Sequence, residues 1–114
     1  MEDLYQENCT ACTGKEPALD LTEINVYYKK LVGWELASQN NTDQLKKLFY
    51  FQDFKKALDF TVKVGQLAEL NNHHPTIITE WGKVTVLWWT HKINGLHKND
   101  FIMAAKTDLA NSEL

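Results

Sequence analysis

Pro75 sits at the seam between two incompatible periodicities, and no other residue constrains the fold of this chain as strongly. From Asp53 to about Leu70 apolar residues recur at helical spacing, with Phe54, Ala57, Leu58, Thr61, Gly65 and Ala68 on one stripe. Phe60, Val64 and Leu67 widen that surface beyond what one sheet face needs, which predicts contact with a partner. Gly65 inside the helix costs up to about 1 kcal/mol relative to alanine, which suggests a closely approaching neighbour backbone, with a merely tolerated glycine as the plainer alternative. Proline drives the residue before it out of the α region, so the helix ends ahead of it, with Asn71-Asn72 as the C-terminal cap. Past Pro75 the pattern changes: Thr76 to Glu80 and Val84 to Thr90 are β-branched and aromatic, and Trp81-Gly82-Lys83 joins them as a hairpin.

Alternation in the last strand puts Val84, Val86, Trp88 and Thr90 on one face and Thr85, Leu87, Trp89 and His91 on the other. Both faces carry large apolar groups, so the face without helices is expected to meet another subunit. Upstream, Thr22 reads as the N-cap of a helix carrying Ile24, Tyr27, Tyr28 and Leu31 and stopping at Gly33. Trp34 to Ala37 and Leu45 to Phe51 read as strands around the turn-forming Ser38 to Asp43. A last helix runs from about Lys98 to Ala110 with Phe101, Ile102, Ala105 and Leu109 inward, and with Asp100 three residues after His97 in the carboxylate position of a capping box. The expected organisation is a leader over residues 1–20, connected through Thr13 to Pro17, and one domain over 21–114.

All twelve basic residues are lysines, and the net charge is -3. Without arginine the chain lacks the planar fork that grips phosphate, carboxylate or guanine, which argues against nucleic acid and phosphorylated ligands and for a neutral one. No apolar run approaches the roughly 20 residues that cross a bilayer, and Met1-Glu2-Asp3-Leu4-Tyr5 is acidic where a signal peptide is basic, so a cytoplasmic protein is expected, with no membrane partner. Cys9 and Cys12 form one Cys-x-x-Cys in the leader; without a second pair the plainer expectation is two reduced thiols and no metal.

Three of the four histidines, His73, His74 and His91, fall near Pro75 in sequence or in the adjoining strand. Histidine titrates nearest neutral pH, so the group suits proton transfer. Glu69 lies one helical turn before His73, where a carboxylate can orient or charge an imidazole. His91 at a strand end converges on the same place if its strand pairs beside the segment after Pro75, and Trp88 or Trp89 would supply a flat wall for a planar heterocycle. The competing interpretation is plain polar loop histidines. Zinc is weaker, because adjacent histidines in an extended segment diverge and no His-Glu-x-x-His is present; a nucleophilic triad is weaker still, with the cysteines remote and no serine elbow.

Glu69-x-x-x-His73-His74-Pro75, Thr90-His91 eighteen residues after His73, and Asp100 nine further on together closely resemble the signature of the pterin-4a-carbinolamine dehydratases. Gly33-Trp34, Phe51-x-Asp53-Phe54-x-x-Ala57, Ala68-Glu69 and Lys83-Val84 also match, over roughly residues 20–110, and the leader is similar to that of bacterial members. The resemblance implies an α+β fold with a four-stranded antiparallel sheet and helices on one face, assembled as homodimer or homotetramer. It implies a hydro-lyase, 4a-hydroxytetrahydrobiopterin dehydratase, that needs no metal or organic cofactor and recycles the pterin of an aromatic amino acid hydroxylase. His73 and His91 would be the acid/base pair, His74 would hold the pterin and Glu69 would support the site. His73, His74, Pro75, Thr90, His91, Lys92 and Ile93 would line the substrate, while Asp100 would fix the local helix start. Trp89 departs from the vertebrate pattern of a small polar residue. Vertebrate relatives also act as dimerisation cofactors of a transcription factor, which makes a non-enzymatic binding or regulatory protein the alternative, docking a helix on Phe60, Val64 and Leu67.

Overall fold

The chain folds as two β-hairpins laid edge to edge under three helices, in a computed structural model that describes residues 4–7, 9, 17–39 and 42–113. Along the chain come α1 (Leu21–Tyr28), β1 (Glu35–Gln39), β2 (Thr42–Tyr50), α2 (Phe54–Asn71), β3 (Thr76–Glu80), β4 (Lys83–Trp88) and α3 (Lys98–Ser112), with short 3-10 turns at Leu4–Gln6 and His91–Ile93. All pairings are antiparallel and the order is β1-β2-β4-β3, so β2 and β4 are central. This is the expected α+β sheet. Asn40, Asn41 and Cys12, and most of the expected connector, lie outside the described residues.

Leu45, Phe49, Val84, Val86 and Trp88 share the helix-covered face and are almost wholly buried. Gln44, Lys46, Leu48, Thr76, Ile78, Thr85 and Leu87 lie on the opposite face, around a shallow cavity of about 410 Å³. Gly82, at φ +73°, makes the β3–β4 turn in a conformation that side chains rarely adopt, and its carbonyl accepts the Phe51 N–H at 2.9 Å.

Several local expectations are corrected. The N-cap of α1 is Asp20, not Thr22: its Oδ1 accepts the Glu23 N–H at 2.9 Å, and Glu23 Oε1 accepts the Asp20 N–H at 3.2 Å. The reciprocal box needs a carboxylate three residues after the cap, and only the Asp20 frame supplies one. In α2 the buried stripe is Ala57, Phe60, Val64 and Ala68, while Phe54 and Leu58 are each 44% exposed. The face expected to dock a partner is therefore core: Phe60 stands 4.7 Å from the Phe49 ring and 5.2 Å from that of Phe51. Aromatic rings on β2 and its outgoing end select that rotation of the helix, a tertiary choice between two apolar stripes. Among the described residues Gly65 has no neighbour within 4 Å of where a Cβ would stand, so none of their backbone approaches it closely.

α3 is buried on more sides than one stripe requires: Phe101, Ile102, Met103, Ala104, Thr107 and Ala110 are buried, whereas Leu109, expected inward, is 38% exposed. The sheet, α1 and the N-terminal segment all press on it. Leu4 is part of the core, Lys98 pairs with Glu7 at 2.6 Å, and Lys106 donates to the Tyr5 carbonyl at 2.9 Å. Farther along α3, Asp108 accepts from Lys47 Nζ at 2.7 Å and Trp34 Nε1 at 2.9 Å, tying the helix to β2 and the start of β1. Among the described residues no helix is long and apolar enough to cross a membrane.

Candidate active site

Three chain segments meet at one end of the sheet. The first is the C-terminus of α2, where Asn72 adopts the left-handed conformation (φ 50°, ψ 42°) and the N–H groups of Asn72 and His73 return to the carbonyls of Glu69 and Ala68 at 3.3 and 3.2 Å. That cap ends the helix and throws His73-His74 into the extended approach to Pro75 and β3, as the proline demands. The second is the loop after β4. Thr90 and Gly95 bridge as an antiparallel pair, and the enclosed turn His91–Ile93 projects from it. Gly95 faces Ala18, whose Cβ would lie 2.8 Å from an added Cβ, so a side chain there would collide. The third is the N-terminus of α3, capped by His97: its Nδ1 accepts the Asn99 N–H at 3.0 Å.

Asp100 joins all three. Its carboxylate has no exposure, and each oxygen is engaged: Oδ2 accepts from Thr90 Oγ1 at 2.8 Å and from the His97 N–H at 2.9 Å, while Oδ1 stands 2.6 Å from His73 Nε2. A buried carboxylate is tolerable only when its lone pairs are met in this way. With Nε2–H donating to Asp100, the ring atom of His73 left for other chemistry is Nδ1. The His73 ring lies nearly parallel to Trp88, 5.7 Å away, and Trp88 is held by its Nε1–H donating to Thr107 Oγ1 at 3.0 Å. His73 is thus fixed at its edge by a carboxylate and on its face by a core indole.

His73 and His74 point apart. His74 is half-exposed and pairs with Glu69, Nε2 to Oε2 at 2.5 Å, so the carboxylate expected beside His73 serves its neighbour and Asp100 takes the expected role. His91 is exposed and stacks on Trp89 at 4.3 Å with a 10° interplanar angle. One ring face of Trp89 is therefore covered by His91 and Trp88 lies wholly in the core, so of the two indoles expected as a wall for a planar ligand only Trp89 borders the open space.

A cavity of about 540 Å³ opens among these segments, lined by His73, His74, Trp89, Thr90, His91 and Lys92. Pro75 and Ile93 are not among the described residues that line it; Glu69 and Asp100 act from behind His74 and His73. Cys9, Asn71, Asn72 and Asn99 line it as well and were not expected to. The two α2 asparagines were visible only as a helix cap, and Cys9 and Asn99 arrive through long-range packing that leaves no local signal. Burial pushes the Cys9 thiol up to about 11, with Lys106 lowering it and Asp100 raising it further. Among the described residues no group of three or more His, Cys, Asp or Glu side chains is placed to hold a metal ion.

Comparison with known proteins bears on this arrangement. The family model for pterin 4 alpha carbinolamine dehydratase matches residues 17–110. A protein of Nitrosococcus oceani named "Putative pterin-4-alpha-carbinolamine dehydratase" is 51% identical over 108 residues, 95% of this chain and 96% of that protein. One of the same name from Marinobacter nauticus is 50% identical over 108 residues, covering 95% and 97%. The crystal structure of a "transcriptional coactivator/pterin dehydratase" from Brucella melitensis superposes with a TM-score of 0.73 at 29% identity, over 82% of this chain and 97% of that one. With the model matching most of the chain and half the residues shared with full-length relatives, this chain belongs to the pterin 4 alpha carbinolamine dehydratase family.

Proposed function

We propose that this chain dehydrates 4a-hydroxytetrahydropterin to the quinonoid dihydropterin and water by histidine acid/base catalysis. The observation that carries the proposal is the convergence of His73, His74 and His91 on one cavity, with His73 held by the buried Asp100. In the reaction the C4a–O bond breaks as the hydroxyl accepts a proton and leaves as water. N5 gives up its proton, and the freed electron pair forms the C4a=N5 double bond. One proton enters and one leaves, which two imidazoles can share. His73, anchored through Nε2, offers Nδ1; His91, poised on Trp89 at the cavity's edge, is the second acid/base group. His74 holds the pterin, with Glu69 orienting its ring. We place the reaction in the cytoplasm, recycling tetrahydropterin for an aromatic amino acid hydroxylase.

The test is stopped-flow absorbance of carbinolamine decay. Wild type should accelerate decay, and the His73→Ala, His91→Ala double variant should lose about 10² to 10⁴-fold in kcat. No acceleration by wild type overturns the activity; full rate in the double variant overturns the site.

The Brucella protein is also named a transcriptional coactivator. Docking a partner helix on Phe60, Val64 and Leu67 is not available here, since Phe60 and Val64 are fully buried. The open sheet face is the better candidate surface, and a second copy of this chain is its proposed occupant: Gln44 Oε1 is buried there with no hydrogen-bond partner among the described residues, beside Leu48, Ile78 and Leu87. A monomer mass by light scattering at micromolar concentration would contradict this assembly.

A further inference from the structure

We propose that Cys9 is a substrate-contacting residue, so that the N-terminal segment forms one wall of the pterin cavity; this rests on the dehydratase reading above. The segment is strapped to α3 at three successive points. Leu4 is 3% exposed within the core, the Tyr5 carbonyl accepts from Lys106 at 2.9 Å, and Glu7 pairs with Lys98 at 2.6 Å. These anchors carry the chain along α3 toward its first turn. Cys9 then lies over that turn, its Sγ 4.0 Å from the Asn99 carbonyl, and faces the same cavity as His73 and His91. Asn99, in the turn beneath, lines the cavity although only 2% exposed.

The chemistry of the contact follows from the environment. Burial keeps the sulfur protonated at neutral pH, so Cys9 acts as a compact, polarisable contact and weak donor against a flat heterocycle, not as a nucleophile. A thiol in this place limits how far the ligand can extend toward the N-terminal segment. It makes Cys9 a determinant of fit, supplied by a part of the chain that the family match over residues 17–110 does not include.

The experiment is alkylation of Cys9 by iodoacetamide at about pH 9, where some thiolate forms, followed by intact mass in a Cys12→Ser background. It is run with and without 7,8-dihydropterin, whose binding is read independently by tryptophan fluorescence. At a ligand concentration about ten times its Kd, alkylation should slow about tenfold, in step with occupancy. Cys9→Leu should raise KM about tenfold while kcat stays within about twofold, because it narrows the cavity without touching the proton-transfer groups. Unchanged alkylation while fluorescence reports bound dihydropterin overturns the inference and leaves the dehydratase proposal standing, whatever the folding of Cys9→Leu. Absence of both dihydropterin binding and carbinolamine dehydration removes the dehydratase proposal and this inference with it.

Discussion

His73 Nε2 lies 2.6 Å from Oδ1 of Asp100, across 27 residues of sequence, and that carboxylate has no exposure to solvent. Asp100→Asn keeps the shape and removes the anionic acceptor that orients the ring. It should lower kcat about 10²-fold with little change in KM. It should also cost about 1 to 3 kcal/mol of stability, because an amide cannot accept at both positions where Thr90, His97 and His73 approach. Stopped-flow turnover and a urea melt measure the two effects separately.

Rotation of α2 is tested by two truncations on opposite faces. Phe60→Ala removes a ring packed between Phe49 and Phe51 and should cost about 3 to 5 kcal/mol. Leu58→Ala, at a position 44% exposed, should change unfolding free energy by only about 0.5 kcal/mol. The reverse order in urea denaturation would mean that the helix presents its other stripe to the sheet.

Gly65 lies inside α2 at ordinary helical φ, with open space where a Cβ would go. Gly65→Ala should therefore stabilise the protein by about 0.5 to 1 kcal/mol through the lost freedom of the unfolded chain. A lower denaturation midpoint would show that something does approach this position.

Two groups where the N-terminal strap meets α3 titrate upward of their ordinary values. Burial holds the Cys9 thiol at about 11 against an ordinary 9.0, and the hydrogen bond that Lys98 donates to Glu7, together with the charge of that carboxylate, raises Lys98 above 10.5. In both cases the folded state keeps a proton that the unfolded chain gives up sooner, so each contribution is complete below the group's ordinary value, 9.0 for the thiol and 10.5 for the ammonium, and is lost as pH climbs above it. Amide exchange at residues 4–9 should accelerate over that window ahead of the sheet, and Cys9→Ala should remove the lower-pH part of the change.

The fold was largely legible because Pro75 and the change of period around it admit few alternatives. Every regular element expected from the sequence is present, with ends moved by a few residues. Errors arose where two local solutions were equally good. Phe54-Leu58 and Phe60-Val64 are both helical apolar rows, and only the rings of Phe49 and Phe51, brought in by β2, choose between them. At the site, His73, His74 and His91 were identifiable by residue type and their approach to one cavity by the hairpin. The exchange of carboxylates was not: Glu69 is near His73 in sequence, yet the αL residue Asn72 turns the chain so that His74 meets it and His73 meets Asp100. Cys9 was out of reach for the same reason, since its position depends on anchors 90 or more residues away.

Asp100 accepts from one residue after β4, from one before α3 and from one after α2, so its hydrogen bonds double as a test of assembly. A chain that has formed its hairpins and helices without docking them holds the same three histidines, but no shared acceptor to aim His73. Because the His73 bond joins residues 27 apart in sequence, it comes with the closing of a longer loop than its two companions, among the slower events of folding. Catalytic competence should consequently appear last during refolding, after secondary structure, and report the docked state more strictly than circular dichroism does.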